Sequence, residues 1–554
     1  MTEKSSAAGP GSGSGGSLSG TVNRVARASA LAQILGQLVS FGQTIALARL
    51  LSPSEVGIFT AGTVLTMLFT NFIEGGLRSG LVRSQTDMAD AEETVFWVTL
   101  MVGFAASLAA LAAAPVVAIV FHNHEAGLVA ASTAGVLLIH SLINVPESVL
   151  QREFSVKRRL IVGPAVSVAF AAVSVGLAAF GFGVWSLVAG TYASYVAWVV
   201  SLWMLTSWRP GRGRFHFQTW RALARYGFPL VLAMIEFRIR TAIESLVVGR
   251  FLSTGALGFF RYGQRIATIP QSGIIAVSET TLFPAFARIA HQRDRFVAAY
   301  LRALHWSMIG GAVGTGLMIA AGEPAVVVLF GDKWRGAGVA LVFMSGLNIG
   351  SAINVVVQDA IKAHGRTRLI NWFTLGDFVL GVGFLIGLTL PFGFKGAALY
   401  LSLTSLGTTV IFLVLAQRVM AVPFRRVLKV QATPLPAMFV ATAVTYLLEH
   451  DVLRSDTRGV ILGVALLTID AIVFSLVYLA VLFVFARSSA LTIIRSVPAV
   501  VGRLTGRRRP APARHAQAAG RGTPEPELEL ELGPGVGTLP IVDPDTGREL
   551  QPES

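Results

Sequence analysis

The 554-residue sequence contains no cysteine. Disulfides, thiolate metal sites and cysteine nucleophiles are therefore excluded. Charge is also scarce: Asp, Glu, Lys and Arg together make up 14% of the chain, against about 25% in soluble domains, whose surface must be wetted. So few charges cannot cover a water-facing exterior of this size. A soluble enzyme is excluded, and so is a chain disordered throughout. No GxxxxGK[ST] run occurs, which removes ATP hydrolysis as a drive within this chain. What the sequence has in plenty is apolar residues, 53% of the total, with a mean hydropathy of +0.65. This composition calls for lipid as the outer solvent. The formal charge of +15 does not require a nucleic-acid partner, because basic residues also mark the cytoplasmic loops of membrane proteins.

Residues 1–24 are Gly/Ser-rich and read as a flexible tail, with no apolar core of a signal peptide. Apolar segments then recur at 28–48, 56–77, 95–121, 127–149, 161–181, 184–206, 227–249, 266–286, 304–321, 339–360, 370–391, 396–416, 432–448 and 459–486. Each is near the roughly 20 residues a spanning helix needs. The expected fold is all-α: a polytopic membrane protein of about fourteen transmembrane helices. Alternating segments of about ten residues, the mark of a spanning barrel, are absent. With a cytoplasmic N-terminus, the inside connections hold more than twice as many Lys and Arg as the outside ones (Arg152, Lys157, Arg158, Arg159, Arg209, Arg212 and Arg214 among them). That asymmetry places both termini in the cytoplasm. The tail 487–554 is basic first and then acidic, and its composition cannot bury a core, so it reads as disordered.

The chain repeats itself. RLLSPSEVGIF at 49–59 matches RFLSTGALGFF at 250–260, and APVVAIVFHN at 114–123 matches EPAVVVLFGD at 323–332. The two matches keep the same order and the same place relative to the spans. They divide the first twelve helices into an amino-terminal lobe (25–206) and a carboxy-terminal lobe (227–425). The lobes are six-helix units in parallel repeat, joined by a cytoplasmic linker (207–226). Two extra helices follow at 426–486. Such paired lobes place a substrate site between them.

ARLLSPSEVGIF after the first span, VPESVLQREFSVKRR after the fourth, ESLVVGRFLSTGALGFFRYGQRIATIP, LFPAFARI and LFGDKW together resemble Wzx-type polysaccharide flippases. These are members of the multidrug/oligosaccharidyl-lipid/polysaccharide exporter superfamily. The resemblance covers roughly residues 22–425. It implies two six-helix bundles in a V and movement of a polyprenyl-pyrophosphate-linked oligosaccharide from the inner to the outer leaflet of a bacterial plasma membrane. The implied partners are that glycan, membrane lipid, and the glycan polymerase and glycosyltransferases of the same assembly; no cofactor is implied. Related lipid-precursor flippases carry cavity arginines in the first helix, where this chain has Gln37 and Gln43.

Independently of any family, the seventh span is the most informative. PLVLAMIEFRIRTAIESLVVG holds Glu236, Arg238, Arg240 and Glu244. Each central charge costs roughly 2.5–3.5 kcal/mol to insert, and each apolar residue returns only about 0.3–0.6 kcal/mol. Facing lipid, this helix would not stay inserted; it must face protein or a wet cavity. Glu236, Arg240 and Glu244 are four apart and share a face, so the carboxylates are expected to neutralise Arg240. Arg238 lies on the other side of the helix. The first span carries a polar stripe at Gln33, Gln37, Ser40 and Thr44; moved by the repeat offset, its last three members fall on Arg238, Thr241 and Ser245. Both lobes are thus expected to present equivalent polar faces to a central cavity. Arg238 is the expected pyrophosphate ligand, since guanidinium binds phosphate oxygens bidentately; the alternative is an ion pair with a carboxylate on another helix.

Asn354 and Gln358, with Ser351, share a face of the tenth span and are further lining candidates, as are Asn144, Glu147 and Glu74. Glu236, Glu244, Glu279 and Asp377 are the expected carriers of ion coupling, because intramembrane carboxylates can titrate or hold a cation. Asp470 reads as structural. The pair Asp543 and Asp545 lies in the tail without a nucleotide-binding domain, and His122 to Glu125 falls in a short outer turn, so neither reads as a metal site. Two other readings stay open here: a drug/cation antiporter on the same fold, and a non-transporting scaffold for glycan assembly.

Overall fold

The computed structural model describes residues 36–494, apart from 38, 75, 84–87, 154–157, 272–277 and 421, and apart from the side chains of 79, 82–83, 158–159, 226–235, 279–280 and 367. Gln33 and both tails lie outside the described residues. Those described are almost wholly helical and include no strand. Ile461 and Met204 are 89% and 80% exposed, positions that only a lipid exterior tolerates in such numbers of large apolar side chains.

Among the described residues, eight helices are long and apolar enough to cross a membrane, or ten if two bent pairs, His124–Ser141 with Asn144–Arg152 and Asp332–Met344 with Gly346–Ala363, each count as one span. The difference from the fourteen expected segments has local causes. Thr367–Met420 is one run of helix covering two of them, broken where Gly393 takes a positive φ of 58°. Phe217–Phe251 holds too many charges to count as apolar. The segment 28–48 lies partly, and 266–286 internally, outside the described residues.

The internal repeat has a physical basis. Ser52 caps the helix Pro53–Gly62 in a capping box with Glu55, and Ser253 caps Thr254–Ala267 by accepting from the Ala256 N–H at 3.0 Å. Each serine ends one helix and starts the next by satisfying an orphan N–H. The repeated glycine serves contact. A Cβ on Gly57 would lie 1.7 Å from the Thr254 carbonyl oxygen, and one on Gly258 would lie 2.0 Å from that of Pro53. Residues equivalent by the repeat therefore meet reciprocally, as a pseudo-twofold axis demands, with glycine letting the backbones touch.

Around this axis the two repeats share one apolar core, which runs through Leu47, Leu51, Phe121, Val247, Leu257, Phe330 and Trp334. Trp334 donates its indole N–H to the Ala48 carbonyl at 2.6 Å. Arg49 donates to the carbonyls of Leu329, at 2.9 Å, and of Val328, and Lys333 donates to the Arg49 carbonyl at 2.8 Å. At the other end the cores are separate. One gathers Leu77, Val95, Phe96, Val145 and Trp208; another gathers Phe286, Tyr300, Val356, Phe412 and Val427. The repeats are joined at one end of the bundle; at the other each has a core of its own, and Phe217–Phe251 reaches the first of these through Leu223.

Candidate functional site

Phe217–Phe251 packs against Val64–Glu74, Leu77–Arg83 and Met88–Val120 of the first repeat, and against Thr254–Ala267 and Thr367–Met420 of the second. Its charges are therefore set at the junction of the two. Arg240 donates through Nε and Nη2 to Glu236 Oε1, at 3.0 and 2.8 Å, and through Nη2 to Asp377 Oδ2 at 2.6 Å. Its guanidinium also lies 5.8 Å from the centre of the Phe378 ring. Thr408 donates its hydroxyl to the remaining Asp377 oxygen. One cation is thus held between two carboxylates, with Glu236 the partner that the four-residue spacing indicated. A cleft of about 270 Å³ lined by Trp372, Phe373, Leu380 and Ile411 opens beside Asp377.

Glu244, expected as the second neighbour of Arg240, is engaged elsewhere. It is 2% exposed, accepts from Arg261 Nη1 at 2.7 Å, and takes the Tyr400 hydroxyl on its other oxygen. Arg261 also donates to the Thr241 carbonyl and the Ser245 hydroxyl, both at 2.6 Å. One turn further along the same helix, Arg265 donates to the Ser40 hydroxyl at 3.1 Å. A single helix, Thr254–Ala267, therefore sends one arginine to each of the two repeat-related polar stripes. Thr44 is buried and spends its hydroxyl on the Ser40 carbonyl at 2.7 Å, whereas Gln37 is exposed.

Arg238 is half-buried and, among the described residues, has no carboxylate within ion-pair distance. Its charge is felt by Glu74 and Tyr195 of the first repeat. Glu74 is paired with His140 at 3.4 Å, and the buried His140 ring meets the Tyr195 and Trp198 rings edge-on. Nearby, Arg78 and Glu147 are 3.7 Å apart. The Asn144 amide nitrogen is buried without a partner among the described residues. Asn354 reaches only the Ser405 carbonyl, at 3.5 Å; it and the half-buried Gln358 make no hydrogen bond to the Arg240 group. The side chain of Glu279 lies outside the described residues.

Arg261, Arg265, His140 and Tyr400 were not among the sequence candidates. The first two fall in a segment whose low hydropathy reads as an outer loop; their signal is the amphipathic pattern of Thr254–Ala267, which buries Leu257, Phe260 and Tyr262. His140 and Tyr400 are lone polar residues in apolar helices, and only the fold supplies their partners.

The triad makes a distinct prediction. Arg240, Glu236 and Asp377 are partly buried, 17–23% exposed, and removing one member of such a group costs at most the about 3–5 kcal/mol of a fully buried one, because the others are left uncompensated. Arg240→Met would leave Glu236 and Asp377 facing each other. We expect a clear loss of folded protein from the membrane, read as the monodisperse peak of a fluorescent fusion in detergent. An unchanged peak and melting temperature would show that the triad adds no net stability.

A family model described as "Polysaccharide biosynthesis protein" matches residues 46–338. The succinoglycan biosynthesis transport protein ExoT of Rhizobium meliloti is 26% identical over 414 residues, 73% of this chain and 82% of the relative. The lipopolysaccharide biosynthesis protein WzxC of Escherichia coli is 20% identical over 353 residues, 62% of this chain and 70% of the relative. Among solved structures, the lipid II flippase MurJ in an inward closed conformation superposes with a TM-score of 0.67 at 15% identity, over 83% of this chain and 99% of that one. An inward-facing multidrug resistance transporter of the MATE family superposes with a TM-score of 0.57 at 15% identity, over 70% and 94%.

Proposed function

Because the chain belongs to the polysaccharide biosynthesis protein family, we propose that it flips a polyprenyl-pyrophosphate-linked oligosaccharide from the inner to the outer leaflet of a bacterial plasma membrane. It works by alternating access between its two lobes, with both termini in the cytoplasm, and serves as a transporter rather than an enzyme. The observation that carries this reading is the charge balance at the junction. Arg240 and Arg261 are held by carboxylates, while Arg238 and Arg265 have none among the described residues. Two guanidinium groups between the lobes with no carboxylate to neutralise them suit a pyrophosphate.

The basic-residue asymmetry makes the joined end, at 49–55, 121–124, 250–254 and 330–335, the outer one. The lobes then part toward the cytoplasm, where the lipid-linked glycan is made. Arg240 holds the place of a cation between Glu236 and Asp377. In this reading a proton or sodium ion enters there when the guanidinium leaves, with Glu244 and Glu279 as the further coupling carboxylates. Glycosyltransferases supply the substrate and a polymerase takes it from the outer leaflet. Deleting the protein is expected to leave polyprenyl-linked oligosaccharide on the inner leaflet, present in lipid extracts yet shielded from an impermeant label on intact cells. Extracts without that intermediate, or with it fully labelled, would overturn the proposal.

A further inference from the structure

The family model ends at residue 338, well before the last two long helices, which hold a pair of acids of their own. Glu449 follows directly on Leu435–Leu447, in a π-helical segment Leu448–Leu453, and Asp470 lies within Val460–Phe485. They are 1% and 0% exposed, and their carboxyl groups come within hydrogen-bonding reach of each other. Glu449 Oε1 is occupied by the Ser455 N–H and hydroxyl, at 2.8 and 2.6 Å. Its Oε2, both oxygens of Asp470 and the Thr445 hydroxyl are buried with no other partner among the described residues. Thr445 is 0% exposed and sits one turn before Glu449, on the same helix face.

Among the described residues, no cation answers these charges. Arg335, which reaches this end of the bundle, is taken by Glu323, Asp332 and Asp456 at 2.9 Å each. Arg454 turns to the His450 carbonyl at 3.2 Å, and His450 itself is exposed against Tyr446; Asp451 is exposed too. Arg293–Phe330, which packs on both helices, meets them through Gly316 against Phe474 and Thr442 and through the Ile309 carbonyl, which faces the Tyr478 hydroxyl at 3.4 Å. Its one charge toward this end is Glu323, already paired.

Two ionised carboxylates are acceptors only and cannot bond to each other, and like charges this close cannot both persist in an apolar site. A carboxyl–carboxylate pair can. We propose that Glu449 and Asp470 share an exchangeable proton and so form a proton-binding site in the last two helices, separate from the Arg240 triad. The two serine donors favour the ionised member at Glu449, which leaves Asp470 as the acid. A proton bound by the folded form stabilises it while bound, and that stability is lost as pH rises past the point of release. The site needs no glycan, so it stands or falls apart from the flippase reading.

The test uses the full-length protein in detergent. Infrared spectra are expected to show the C=O band of a protonated carboxyl group at neutral pH that vanishes in Asp470→Asn. The melting temperature of the unaltered protein is expected to fall as pH rises from about 4, where free carboxyl groups ionise, to the point of release, and this slope to be at least halved in Asp470→Asn, whose amide donates to Glu449 without titrating. Should that variant fail to fold, Glu449→Gln and the pH titration of the band in the unaltered protein carry the same comparison. A band and a slope that both survive either substitution would overturn the proposal. So would a melting temperature set by sodium at constant pH, which would make the pair a metal-cation site.

Discussion

Exchanging Arg238 for glutamine is expected to cut glycan export at least about 30-fold while leaving the amount and melting temperature of the protein unchanged. The magnitude follows from the about 2–5 kcal/mol lost when one partner of a desolvated charged contact is truncated, at about 1.4 kcal/mol per factor of ten. The selectivity follows from the structure. Arg238 has no carboxylate partner among the described residues, so its removal leaves no buried acid exposed to the penalty that Arg240→Met incurs. Two arginines two residues apart on one helix should therefore behave oppositely, Arg240 failing through stability and Arg238 through transport. Arg238→Lys keeps the charge but not the bidentate fork and should fall between. The measurement is surface polysaccharide per unit of membrane protein in cells carrying each variant. Normal export by Arg238→Gln would remove Arg238 from the substrate path. A fall in protein level matching that of Arg240→Met would instead assign it a structural ion pair.

How much of this was legible beforehand can be read from particular residues. The spans, the internal repeat and the charged seventh segment follow from hydropathy and spacing alone, because the cost of burying charge in lipid is large enough to show in one sequence. The Glu236–Arg240 bond is likewise local, one helical turn. What spacing cannot decide is competition between turns and other elements. Glu244 is also one turn from Arg240, yet Arg261 reaches it from the neighbouring helix and Tyr400 closes its other side. Asp377, 137 positions away, takes the place that Glu244 was expected to fill. Arg261 and Arg265 escape notice in the sequence because a helix of low hydropathy between two apolar segments looks there like a connection. Asp470 shows the same limit: alone it reads as an interhelical bond, and only its meeting with Glu449 gives it chemistry.

Joining Ser54 and Thr254 through a disulfide is expected to abolish export, because in the proposed alternating-access cycle it ties the two repeats at the end that opens. Their hydroxyl oxygens are 3.3 Å apart, so Ser54→Cys with Thr254→Cys places two sulfurs where modest side-chain rotation reaches the bond length of about 2 Å. The chain has no cysteine of its own, so any cross-link within one molecule is the intended one. The native seal there is noncovalent: the Trp334 and Lys333 bonds to carbonyls 48 and 49, the Arg49 bonds to carbonyls 328 and 329, and the reciprocal glycine contact. Each can be remade in another conformation, and a hydrogen bond of this kind contributes only about 0.5–1.5 kcal/mol net. A covalent tie cannot be remade during the cycle. The oxidised double variant should export no more glycan than a deletion strain and should recover on reduction, while each single variant exports normally. Lipid-linked intermediate should accumulate only in the oxidised form, still on the inner leaflet, since the cytoplasmic end stays free to load it. Full export by quantitatively cross-linked protein would mean that the lobes do not separate here. The path would then have to run outside the axis marked by Gly57 and Gly258, and Arg238 and Arg265 would have no route to deliver what they bind.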